Sequence, residues 1–150
     1  VERPTEGRLV AGKLVDYTLG LFASRAYAEA NGLPQTAAEL SRHTLIGYVP
    51  DLIVSPSLDY AAEFSPDWRS AFAISSALGQ AEAVRAGAGI GILHTFVARS
   101  MPELLPVNAV APIRRAYWLV YHESVRPLRR VQAVAGFITK AVEREKALFM

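Results

Sequence analysis

The sequence predicts an α/β protein on three observations. The stretch Ala71–Ala98, AFAISSALGQAEAVRAGAGIGILHTFVA, reads as strand, helix, strand; glycines punctuate its turns; and a strand-like run followed by an amphipathic helix closes the chain. Strands joined through a helix normally pair in parallel, so the expected core is a sheet with helices laid on it.

Taken in order, Arg3–Gly7 is a turn-like lead, and Arg8–Leu14 and Tyr17–Phe22 alternate or cluster apolar residues as two strands. Ser24 is placed to cap a short helix, Arg25–Asn31, which Asn31 and Gly32 end and Pro34 forbids from continuing. Thr36 and Glu39 form a capping-box pattern that opens a brief helical turn, Ala37–Leu40. The strand Thr44–Val49 follows, with Tyr48 near its end. Pro50, Pro56 and Pro66 then break any long element before Trp68.

In the central unit, Ala71–Ser75 is an apolar strand, and the hydroxyls of Ser75 and Ser76 are natural acceptors for the free amides of a first helical turn. Ala77, Ala81, Val84 and Arg85 repeat at helical spacing, Gly87 and Gly89 end the helix, and Gly89–Leu93 is a buried strand. Thr95 caps a short helix to Ser100, Pro102–Pro112 is a loop with one extended piece, and Arg115–His122 is a strand. Pro127 fits the first turn of a last helix. In that helix Leu128, Val131, Val134, Ala135, Ile138 and Val142 define one buried face.

Length and composition bound the function. A chain of 150 residues, 51% of them hydrophobic, can bury a core as one domain or two small lobes. Only 20% are charged and mean hydropathy is +0.19, which points to apolar surface covered by a partner subunit or by further chain. The net charge of +2 and the small clusters Arg114–Arg115 and Arg126, Arg129, Arg130 build no nucleic-acid platform. The absence of cysteine excludes disulfides, thiolate metal sites and a thiol nucleophile, and it suits a reducing compartment. No run approaches the ~20 apolar residues of a bilayer span and the start is no signal peptide, so a cytoplasmic protein without membrane contact is expected. A chain opening VERPTEGRLV reads as a fragment of a longer protein.

Several motifs occur together in one order: LVDYTLGLFASRAYAEANGLP, ELSRHTLIGY, AVRAGAGIGIL followed by His94, Thr95 and Phe96, and RRAYWLVYHES before the closing helix. Over nearly the whole chain they resemble the effector-binding domain of LysR-type transcriptional regulators. The resemblance implies a type II periplasmic-binding-protein-like fold, with one complete regulatory lobe plus part of a second. Residues 1–14 would be the end of the first lobe, residues 15–113 the second lobe, and residues 114–150 the return strand and last helix of the first. Val15–Phe22 and Arg115–His122 would be the crossover strands. It further implies a small-molecule effector held between lobes, a homo-oligomer, no cofactor, and DNA contact only through an N-terminal helix-turn-helix domain absent from this chain; the free amides and dipole at the N-terminus of the central helix favour a polar or anionic ligand. With much of the first lobe missing, the last helix is expected to be displaced, frayed or covered by another copy.

The positions matching the family's effector site are His94, Thr95 and Phe96, with Ser75 and Ser76 as a second group. Thr95 offers a hydroxyl and an amide, His94 can donate or accept, and Phe96 supplies an apolar wall. Many family members carry proline where this chain has His94, so backbone rigidity differs here. Each position also has a purely structural explanation: the serines as caps, His94 as a turn residue, Phe96 as core. Trp68, Trp118, Tyr117 and Tyr121 read as packing anchors. His43 and His122 give no coordination spacing with His94, so no metal is expected. The glycines of GAGIG precede a strand instead of following one, which removes the phosphate-cradle reading.

No GxSxG elbow or HExxH is present, and Asp51, Asp59, Glu63 and Asp67 fall where solvated charge is the default. The chain therefore reads as a binding module and not an enzyme. Two other classes stay open: a fragment of a periplasmic-type solute-binding protein, and a purely structural oligomerisation piece.

Overall fold

A computed structural model describes residues 7–53 and 59–149, so most of the turn-like lead Arg3–Gly7 and the break at Pro56 lie outside the described residues. The strands are β1 (Leu9–Ser24), β2 (Leu45–Gly47), β3 (Ser70–Ala73), β4 (Ile90–His94), β5 (Leu104–Val107) and β6 (Ile113–His122). The α-helices are α1 (Arg25–Asn31), α2 (Tyr60–Phe64), α3 (Ala77–Arg85), α4 (Thr95–Ala98) and α5 (Arg129–Arg144). The chain divides into two compact units, one of residues 1–18 with 114–150 and one of residues 19–113.

The unit of residues 19–113 is built on strands in the order β3-β2-β4-β1-β5. β2 runs parallel to both β3 and β4, so the β3–α3–β4 connection is a parallel crossover with β2 seated between its strands. β1 runs antiparallel to β4 and β5, pairing Leu19 with His94 and Leu21 with Val107. The core is Ile46, Ala81, Val84, Leu93, Ala98 and Leu104, drawn from β2, α3, β4, α4 and β5. Full burial of one such aliphatic side chain is worth about 1.5–3 kcal/mol.

Caps explain where α1 and α3 begin. Ser24 Oγ accepts from Tyr27 N at 3.1 Å, and Ser76 Oγ accepts from Gly79 N at 3.3 Å. α3 ends in paired reverse bonds, Gly87 N to Val84 O and Ala88 N to Ala83 O, both 3.0 Å. This motif needs a left-handed residue, and Gly87 supplies it with φ of 85°. Gly91 has a different reason: a Cβ there would run into Val84 Cγ2 of α3.

Several expected boundaries are corrected. The two strands expected over residues 8–14 and 17–22 are one, β1, because the extended backbone runs unbroken through Val15 and Asp16. The Ala71–Ser75 strand is shifted to Ser70–Ala73, leaving Ser75 one residue outside the cap. The N-cap of α4 is His94, not Thr95, which is already the first helical residue. The Thr36–Glu39 box is altered: Thr36 makes no side-chain cap bond, and Glu39 Oε2 accepts from Gln35 N at 2.8 Å, which holds its carboxyl below the usual range. Pro127 lies in the turn before α5, whose N-cap is Leu128.

In the unit of residues 1–18 and 114–150, β6 pairs with β1, and Tyr17 stacks on Tyr117 with ring centroids 4.3 Å apart. Arg8 Nε donates to Glu123 Oε2 at 3.2 Å, an exposed pair worth about 0–1 kcal/mol. α5 is regular over 16 residues, yet none of its residues is buried, and Val134 and Phe137 are 59% and 73% exposed. The expected buried face of α5 is therefore only half-buried or exposed, while the helix runs unbroken from Arg129 to Arg144.

The Val84–Gly91 approach yields a prediction. Gly91→Ala should lower unfolding stability by about 1–3 kcal/mol through overpacking. The double variant with Val84→Ala should lose less than the sum of the two separate losses, measured as a shared-site coupling in denaturant titrations.

Candidate functional site

The unit of residues 19–113 contains a cavity of about 300 Å³. It is walled by Gly47 and Tyr48 at the end of β2, Pro50 and Ile53 just after it, Asp59, Tyr60 and Ala61 at the start of α2, Trp68 to Ser70 leading into β3, Gln80 of α3 and Ile92 of β4. A dry cavity of about 150 Å³ accepts benzene, so this one has room for a guest of roughly a dozen non-hydrogen atoms. Beside it lies a compartment of about 20 Å³, lined by Leu19, Ala77, Leu78, Leu93, His94 and Val97 together with the same Tyr48, Tyr60, Gln80 and Ile92. That volume suits a single water molecule.

The wall residues are held by specific bonds. Trp68 is buried and donates from Nε1 to His43 O at 2.9 Å, while His43 Nδ1 lies 3.0 Å from Tyr27 Oη. Tyr48 and Tyr60 meet edge to face, centroids 6.4 Å apart at 64°, and both rings contribute to both spaces. Gln80 is 2% exposed and donates from Nε2 to Ile74 O at 2.8 Å. Arg69, exposed at the rim, donates from Nη1 to Pro66 O.

The structure places the five sequence-derived residues unevenly. His94 ends β4, lines the small compartment and meets Phe96 edge to face with centroids 5.4 Å apart at 62°. Thr95 faces a different cavity of about 390 Å³, bounded by Gly20, Phe22, Met101 and Leu104 among others. Ser76 caps α3 and Ser75 precedes it; both are exposed and outside these cavities, although Ala77 and Leu78, next in the chain, share the compartment with His94. Tyr48, Tyr60, Trp68 and Gln80 are not site candidates in the sequence, where Tyr48 reads only as a residue near a strand end and Trp68 only as a packing anchor. Gln80 carried a usable signal, since it is a polar residue set within the apolar helical stripe of Ala77, Ala81 and Val84.

Burial sets the electrostatics. It pushes the His94 imidazole below its usual range, because the charged form loses solvation, and it pushes the Tyr48 phenol up for the same reason. Both groups are therefore neutral hydrogen-bonding partners near pH 7. Among the described residues no cluster of His, Cys, Asp or Glu could hold a metal, and no helix is long and apolar enough to cross a membrane.

The His94 shift carries a pH dependence. A base whose pKa is lowered on folding takes up protons more readily when unfolded, so its contribution is present above about pH 6.5 and is lost as pH falls through the lowered folded value. The melting temperature should therefore fall less between about pH 7.5 and pH 5 in His94→Asn than in the wild type; identical pH profiles in calorimetry would contradict it.

Comparison with known proteins supplies the wider frame. A family model described as the LysR substrate binding domain matches residues 1–143. The regulatory domain of CrgA, a LysR-type transcriptional regulator from Neisseria meningitidis, superposes with a TM-score of 0.76 at 22% identity, over 94% of this chain and 72% of that one. Full-length AphB, the Vibrio cholerae virulence activator, gives 0.71 at 20% identity over 91% of this chain and 48% of its own. The Synechocystis PCC6803 CcmR regulatory domain, solved in complex with 2-PG, gives 0.70 at 18% identity over 94% of this chain and 70% of its own. These likenesses show a shared fold, the type II periplasmic-binding-protein-like α/β arrangement. No curated protein sequence matches.

Proposed function

The chain belongs to the LysR substrate-binding-domain family, and from that premise we propose that it senses a small metabolite and passes the signal to a helix-turn-helix domain lying outside residues 1–150. The observation that most supports this is the cavity of about 300 Å³ walled by Tyr48, Tyr60, Trp68 and Gln80. Aromatic surface with a few fixed polar groups suits reversible recognition of a small molecule. On this reading residues 1–14 and 114–150 belong to the first regulatory lobe and residues 15–113 to the second.

The effector is polar or anionic. Of the sequence-derived residues, His94 is the proposed contact from the end of β4, where it lines the small compartment; Thr95, Phe96, Ser75 and Ser76 line neither that compartment nor the 300 Å³ cavity and are proposed as contacts only for a part of the effector that extends beyond them. Nothing is asked of these groups beyond hydrogen bonding and apolar contact, so the domain is a sensor and not an enzyme, and it works without a cofactor. It acts as a homo-oligomer in the cytoplasm and meets DNA only through the attached domain. The effector alters DNA binding solely by its different affinity for two arrangements of the protein. A solute-binding protein with the same lobed fold is the alternative reading, and an operator-binding assay separates the two.

Thermal-shift screening of small carboxylates, phosphate esters and amino acids tests the proposal. A true effector at 100 times its Kd should stabilise the domain by about 2.7 kcal/mol. Tyr48→Ala should weaken that effector by about tenfold or more, the loss of one buried aromatic contact. A polypeptide carrying the helix-turn-helix domain should change operator affinity when the effector is added; unchanged affinity and DNA bending with every compound that binds would overturn the regulatory reading.

A further inference from the structure

Among the described residues, the buried polar side chains are Ser24 and Gln80. Ser24 is explained by its cap on α1. Gln80 is not explained by secondary structure: it sits mid-helix, within a stripe whose neighbours Ala81 and Val84 are fully buried, and it lines both the 300 Å³ cavity and the adjoining compartment.

Its orientation is fixed by one bond. Nε2 donates to Ile74 O at 2.8 Å. Flipping the carboxamide would set two carbonyl oxygens against each other, so the amide cannot exchange its ends without losing that bond. One of the two N–H groups of Nε2 is taken by the backbone, and Oε1, held at the other end of the carboxamide, can accept from a guest but cannot donate. Ile74 N in turn donates to Gly47 O at 2.8 Å, tying the support of Gln80 to the strand end that carries Tyr48.

We propose that Gln80 is the specificity-determining residue of this cavity: a fixed, buried acceptor that selects effectors presenting a hydroxyl, amino or amide N–H donor at that point. The inference rests on reading the cavity as the effector site, and it refines the ligand class. A carboxylate or phosphate oxygen aimed at Oε1 would place acceptor against acceptor in a poorly solvated space, so any anionic group of the effector lies away from Gln80. The aromatic surroundings, Tyr48 and Tyr60 edge to face with Trp68 nearby, suit a flat body bearing that donor.

A matched pair of probes tests this on the 150-residue chain. Phenol and fluorobenzene have nearly the same shape, and only phenol can donate. In ¹H–¹⁵N spectra of the wild type, both should shift the Trp68 indole and Tyr48 amide signals, phenol should also shift the Gln80 side-chain amide, and phenol should bind about tenfold more tightly, the worth of one buried hydrogen bond. In Gln80→Met the ratio of the two affinities should fall to within about twofold; because this is a ratio, a general loss of packing would not reproduce it. Equal affinities in the wild type, or a preference that survives Gln80→Met, would overturn the role of Gln80 while leaving the cavity as a ligand site. Should neither probe move the Trp68 and Tyr48 signals, the cavity reading falls and the role of Gln80 with it. The wild-type comparison decides the matter even if the variant fails to fold.

Discussion

The seating of α3 on β4 at Val84 and Gly91 is the constraint on which the unit of residues 19–113 depends. Gly91 pairs with Phe22 of β1 and with Ile46 of β2, so the residue against which α3 rests is also at the centre of the sheet. Any side chain there would lift the helix. Because α3 is rigid, its height over the sheet also fixes where Gln80 lies, one turn before Val84. The same contact that closes the core therefore sets the depth of the cavity's buried polar group.

A second constraint runs through polar bonds. Ser24 ends β1 and accepts from Tyr27 N; the Tyr27 hydroxyl lies against His43, whose carbonyl accepts from the Trp68 indole. This chain of contacts links the end of β1 to the Trp68 wall, across segments with little regular structure. Buried polar groups are tolerated because each has a partner, and their geometric demands specify one arrangement where apolar packing alone would permit several. That matters most between Pro50 and Trp68, where the two short helical turns among the described residues cannot organise a wall by themselves.

Local chemistry made much of this fold legible. Ser24 and Ser76 as caps, Gly32 and Gly87 as helix ends, and the glycine-flanked strand β4 all follow from the needs of backbone donors and of left-handed turns. Features governed by partners distant in sequence were less legible. Asp16 interrupts the apolar pattern of β1, but strand pairing carries the extended backbone through it. The cavity is harder still, because Tyr48, Tyr60, Trp68 and Gln80 come from four segments that no period connects. His94 ends β4 and lines the small compartment, whereas its neighbour Thr95 faces another cavity, since one residue into a helix rotates the side chain by about 100°.

The two units differ in how their apolar residues are used. In the unit of residues 19–113, β4 gives Leu93 to the core and Ile92 to the cavity, so the cavity wall and the folding core share one strand. A small molecule placed there would meet one face of a strand whose other face is already packed, which would favour a preset pattern of groups over a flexible one. In the other unit, α5 places Val134 and Phe137 in solvent and borders an apolar hollow of about 340 Å³ with Leu119 and Tyr121 of β6. Helical propensity and the first-turn bonds from Val131 and Gln132 to Leu128 O hold α5 together, with little burial to add. Stability in that unit therefore comes from local bonds, the Tyr17–Tyr117 stack and β1–β6 pairing, whereas the unit of residues 19–113 sets its cavity beside its own core, around α3 and β4.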